Sequence, residues 1–215
     1  LVSPGSTDYG YTNGMSQTFN INLLRYYITN IKLEGPNGEV FTDHVHVSSS
    51  GTEGIYLVDE AQPSSGSVIL DNVPAGEYNK ITFTVGVEEN GVTEGAAGGN
   101  LDPATCKMFW NWNSGYIALK FEGQSNVSAG GTTGTETLEG VTKGIAYHIG
   151  GWQTIDGTAF VYNNKTMSFT FDTKAKVEQG LQPAVHMVFD VIKLFSSKNL
   201  IDFTGNNNVH KPVDG

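Results

Sequence analysis

Two imidazoles two positions apart, His44 and His46 in "TDHVHV", form the chain's most pointed chemical spacing. In an extended strand such positions share one face and lie about 6 to 7 Å apart, near enough for two side chains to close on one metal ion. Val45 and Val47 would then face the core and leave both rings outside, where the competing reading is a pair of solvated strand histidines. His148, in "AYHIGGW", falls on the face opposite Ile145, Tyr147 and Ile149. Two glycines follow it and would admit a close backbone or ligand. It is the first metal ligand expected, against a structural histidine bonded at a strand end. His186, opening an apolar run, and His210, in the polar tail, read as structural or surface histidines.

A second concentration of chemistry is "CKMFWNWNSGYIALKFEG", Cys106 to Gly123, which holds two of the three tryptophans. On a strand Trp110 and Trp112 would share one face, with Asn111 and Asn113 on the other. Such aromatics fill a core, stack on sugars or wall a redox-active metal site. The lone cysteine, Cys106, excludes an internal disulfide framework and any multi-thiolate zinc or iron-sulfur centre. No G-x-S-x-G, H-E-x-x-H, Walker or dinucleotide motif occurs, so a non-enzymatic role is expected. Glu88, Glu89, Glu94, Asp102 and Glu122 could supply a hydrolytic carboxylate pair, whose separation no sequence sets. The loop "EENGVTEGAAGGNLD" offers oxygen donors for calcium without the spacing of an EF-hand, and reads first as a solvated acidic loop.

The elements that must position these groups read as strands. "NKITFTVGV" alternates Ile81, Phe83, Val85 and Val87 with polar residues, "KTMSFTFDT" alternates Met167, Phe169 and Phe171, and "GYIALKFEG" alternates Ile117, Leu119 and Phe121. "YYITNIKLEG", "GEVFTDHVHV", "GSVILDNV" and "GIAYHIGG" follow the same rule. "GPNGE" predicts a hairpin loop, and "NVPAGEY" the closure of another pair. "PAVHMVFDVIKLFSS" predicts a strand ending in a helical turn. Two long Gly-rich loops, "EENGVTEGAAGGNLDP" and "GQSNVSAGGTTGTETLEG", interrupt the pattern. The expectation is all-β: a single antiparallel β-sandwich domain over residues 1–215, Greek-key-like, with long Gly-rich loops.

A net charge of -10, from 22 acidic and 12 basic residues without a basic cluster, argues against nucleic acid and anionic membranes as partners. No apolar run approaches the roughly 20 residues of a membrane span. The start "LVSPGSTDYG" has no signal-peptide core and reads as a trimmed chain, so a signal or lipid anchor would lie upstream.

The order "YYITNIKL", "GIYLVDE", "NVPAGEYNKITFTVGVEENG", "GNLDPATCKMFWNWNSGYIALKFEG", "YHIGGW" and "VIKLFSSKNLIDFTGNNNVHKP" resembles the MbnP-like family of exported proteins, in a divergent form like that of Bacteroidetes. The resemblance spans most of the chain. It implies a β-sandwich in the periplasm or at the outer surface, copper binding, and often a partner di-haem peroxidase of the MauG type that oxidises a tryptophan to kynurenine. On that basis Trp110 or Trp112 is the expected site of oxidation, with His148, His44 and His46 as copper ligands; His148 matches the "HIGG" position. Imidazole and aromatic-amine donors suit copper. The family's W-x-H is missing: Trp110, Trp112 and Trp152 are followed at that spacing by Trp112, Ser114 and Thr154. The alternative is a non-metal cell-surface module in which the tryptophans pack the sandwich or contact glycans.

Overall fold

A computed structural model describes residues 1–88, 98–110, 115–151 and 162–210. The described strands are β1 (Tyr11–Thr12), β2 (Thr18–Glu34), β3 (Val40–Thr42), β4 (His46–Ser48), β5 (Gly51–Glu53), β6 (Ile55–Asp59), β7 (Gly76–Val85), β8 (Phe109–Trp110), β9 (Gly115–Ser125), β10 (Gly144–Gly150), β11 (Lys165–Val177) and β12 (Asn208–Val209). A single helical turn, α1 (Pro103–Cys106), precedes β8. The protein is the expected β-sandwich, with one large sheet in the order β11-β7-β2-β9-β10-β12 and a separate β4-β5 ribbon.

β2 is the spine. Along one edge it pairs with β9 from Phe19 to Tyr26 and then with β7 from Ile28 to Glu34, while β1, β6 and β3 occupy the opposite edge. The handover from β9 to β7 falls near a register shift between Thr29 and Lys32, where Asn30 adopts φ 53. Asn tolerates the left-handed region better than most side chains, and a bulge there bends the strand. Apolar residues accordingly collect in three clusters. One gathers Phe19, Leu24, Phe121, Tyr147, Phe195 and Phe203. Another lies between the second half of β2 and β7, around Ile31, Tyr78 and Phe83. The third surrounds Trp110.

Several sequence expectations need correction. "GSVILDNV" forms no strand: Val68, Leu70 and Val73 pack on the core while Ile69 is exposed, so its alternation records burial without a ladder partner. "NVPAGEY" consequently closes no pair; it leads into β7, and the Tyr78 hydroxyl donates back to the Pro74 carbonyl at 3.0 Å. In "PAVHMVFDVIKLFSS" the helical turn is present at Val191–Leu194, capped by Asp190, but the segment before it belongs to no strand. The sheet is antiparallel except where β12 lies parallel to β10, because the tail arrives after a crossover. The "GPNGE" hairpin joins β2 to β3 as read, with Gly35 N–H donating to the Glu39 carbonyl at 2.8 Å.

β9 is the element that departs most from its pattern. All eleven of its residues are buried, including Lys120 and Glu122 on the face opposite Leu119 and Phe121. The second Gly-rich loop covers that polar face, placing Glu136 and Thr137 against it. The first Gly-rich loop lies largely outside the described residues.

Candidate functional site

The antiparallel register of β9 and β10 sets Lys120 beside His148 and Glu122 beside Ala146. Glu122 is 0% exposed and its carboxylate is fully engaged. It accepts from the Glu136 N–H at 2.8 Å, the Thr137 N–H at 2.7 Å and the Thr137 hydroxyl at 2.7 Å, and faces His148 Nε2 at 3.0 Å. Burial alone would raise its pKa; the His148 hydrogen bond and the loop donors overcome that and hold it at about 2. Burial lowers the pKa of His148, against the opposing pull of Glu122. The stable pairing is therefore a carboxylate with a neutral imidazole that donates from Nε2.

That tautomer leaves the lone pair of His148 on Nδ1. There it meets His210 Nδ1 at 2.9 Å, with ring centroids 4.9 Å apart. β12 delivers His210 by pairing Val209 with Tyr147. Around the pair, Lys120 Nζ donates to Glu136 Oε2 at 2.9 Å and to the Lys107 carbonyl at 3.0 Å, and Arg25 bridges Asp59 at 2.7 Å and Glu136 at 2.8 Å. Buried charges persist when paired in this way. Sequence reading placed His210 in an inert tail, and Lys120, Glu136 and Arg25 drew no attention. His148 is the first metal ligand expected from the sequence, and Glu122 enters there as a hydrolytic candidate.

His44 and His46 sit elsewhere. Both are exposed, with ring centroids 6.1 Å apart and planes 7° from parallel. Val45 and Val47 pack inward against the cluster of Tyr27, Ile55, Val87, Leu101, Cys106, Met108, Trp110 and Tyr116. The continuous strand expected through "GEVFTDHVHV" is broken: β3 ends at Thr42, Asp43 to Val45 belong to no strand, and β4 begins at His46 in the separate ribbon, yet both imidazoles stay exposed beside the cluster that contains Trp110. Across the ribbon His46 pairs with Glu53. Trp110 itself is 2% exposed. Trp112 and Trp152 lie outside the described residues, as do Asn111, Asn113, Glu89 and Glu94.

The remaining candidates are occupied otherwise. Asp102 caps α1 by accepting from the Ala104 N–H, Glu88 accepts from the Tyr162 hydroxyl at 2.7 Å, and burial pushes the Cys106 thiol pKa upward. His186 is exposed. Among the described residues no three His, Cys, Asp or Glu side chains are arranged to hold a metal ion.

The class so defined is a β-sandwich that gathers four of its five histidines into two pairs, one open and one enclosed. The chain belongs to the MbnP family, whose model matches residues 2–211. Among solved structures it is similar to MbnP from Methylosinus trichosporium, at 16% identity and a TM-score of 0.49 over 75% of this chain. The match spans 64% of that protein's length. Comparison with curated proteins finds no significant match.

Proposed function

We propose that this protein is an exported copper-binding protein of the MbnP type, acting in copper acquisition or handling and not itself a catalyst. The observation that carries the reading is the open, near-parallel pair His44 and His46, backed by Val45 and Val47 on the Trp110 cluster. A coordinated imidazole holds its ion about 3 Å from the ring centre, given a metal–nitrogen bond of about 2 Å. Two exposed rings 6.1 Å apart are near enough to share one ion once they turn so that the nitrogen lone pairs, which lie in the ring planes, converge on it. The donor set is imidazole, which suits copper. His44 and His46 precede His148 in this reading, because their rings are exposed whereas His148 is buried.

The tryptophan strand would be the substrate of a di-haem peroxidase partner of the MauG type, at Trp110 or Trp112. At 2% exposure the Trp110 ring could be oxidised only by electron removal through intervening protein.

Copper titration tests the reading. The double substitution His44→Ala, His46→Ala is expected to lower copper affinity at least tenfold with the melting temperature unchanged, since both rings are exposed. Unchanged affinity would overturn the assignment. A non-metal surface-binding module is the second reading, favoured by the exposed apolar run Val185, Met187, Val188 and Phe189. It requires that protein purified from a copper-replete native host carry no stoichiometric metal.

A further inference from the structure

The geometry points to a second, enclosed metal site at His148 and His210, for a divalent late first-row transition ion such as zinc held between the two Nδ1 atoms. The argument is independent of the open pair.

Three features build the site. The Nδ1 atoms of His148 and His210 are 2.9 Å apart. Nitrogens each about 2.0 Å from one ion and separated by that distance subtend about 90° at the metal, within the range of two neighbouring ligands in a distorted tetrahedral or square arrangement. Zinc on His210 Nδ1 requires the tautomer that carries its proton on Nε2, so the proton that Nδ1 now donates would move to Nε2 as the ion enters.

The second feature is Glu122. Its carboxylate, 3.0 Å from His148 Nε2, fixes which nitrogen of His148 carries hydrogen and which presents a lone pair. A carboxylate on the far nitrogen of a metal-binding histidine is the usual orienting partner, and it raises the donor strength of the ring. The Glu136 and Thr137 backbone donors lock Glu122 in turn, so His148 is held rigidly.

Gly134 supplies the third. Its backbone, at φ 69, approaches so closely that a Cβ there would lie 2.3 Å from His210 Nε2. The covering loop thus closes the Nε2 side of His210, leaving Nδ1 as the nitrogen turned toward His148. With β12 paired over only two residues, His210 is the side that gives as the ion enters. Imidazole nitrogens select late transition ions over calcium or magnesium, and solvent would complete the coordination.

The test uses zinc(II) and isothermal titration with the intact chain. In the His44→Ala, His46→Ala background one zinc per chain is expected at this site, and adding His210→Gln is expected to abolish it. A nitrogen NMR shift at His148 Nδ1, with Nε2 still protonated, is expected on zinc addition. Absence of zinc binding in the double substitution, or its retention after His210→Gln, would overturn the proposal. Because His210 is half-buried near the chain end, a melting curve of the His210→Gln protein separates ligand loss from unfolding. Copper loss at the open pair leaves this result untouched, and failure here leaves the copper reading standing.

Discussion

Replacing the Glu122 carboxylate by an amide would keep its shape and remove the charge that three loop donors and His148 converge upon. Hydrogen bonds to a charged group contribute about 1.5–3 kcal/mol, so Glu122→Gln is expected to lower unfolding free energy in urea by about that amount. The pH dependence has a definite direction. With its folded pKa near 2 and an ordinary value of 4.5, Glu122 contributes stability that is fully present above about pH 4.5 and lost as pH falls toward 2. His148, whose pKa is also lowered, adds to the same trend beginning below its ordinary value of 6.5. The native protein is therefore expected to lose stability steadily on acidification from about pH 6.5. The Glu122→Gln protein should show a flatter profile below pH 4.5, and parallel profiles would refute the assigned ionisation.

At the scale of elements, β9 depends on one residue that tolerates no side chain. A Cβ on Gly123 would lie 2.1 Å from the Asn20 carbonyl, where β2 bulges between Ile21 and Leu23. Gly123→Ala is expected to cost about 1–3 kcal/mol, the usual range for overpacking, read as a fall in denaturation midpoint. An unchanged midpoint would show that the two strands can part there without penalty. β9 also marks the limit of what alternation reveals. Ile117, Leu119 and Phe121 announced a strand with one apolar face, and they pack as expected. Nothing in "GYIALKFEG" said that Lys120 and Glu122 would be buried too, because their cover comes from a glycine-rich loop with no hydrophobic pattern. The His44 and His46 pair was legible because its members stand two residues apart, although His44 precedes β4 and lies in no strand. The partnership of His148 with His210 was not, since 62 residues separate them and only the tail's pairing with β10 joins them. Likewise "GSVILDNV" and "PAVHMVFD" alternate as strands do, but pairing requires a free neighbouring edge, which alternation does not encode.

The whole molecule must also manage its edges. β11 ends the large sheet, and Phe169 on it is 49% exposed. Lys165, Lys174 and Lys176 lie along this strand, Lys174 paired to Glu77 at 2.7 Å and Lys176 to Glu178 at 2.6 Å. Lysines on an edge strand discourage strand-to-strand association between molecules. Lys174→Val with Lys176→Val is accordingly expected to produce concentration-dependent aggregation by light scattering. A monodisperse double variant would place the protection elsewhere. Fold class followed from composition and turn spacing, whereas the route of the sheet depended on β2.

The placement of β2 has a temporal consequence. Phe19 pairs with Ser125 and Tyr26 with Leu119, so the spine emerges from a ribosome or a translocation channel about a hundred residues ahead of its central partner. Until β9 follows, the apolar residues of β2 have only β1, β3, β6 and β7 to cover them. Closing so long a loop before its contacts form slows assembly. β2 therefore keeps an unpaired edge from Phe19 to Tyr26 until residues near 125 arrive.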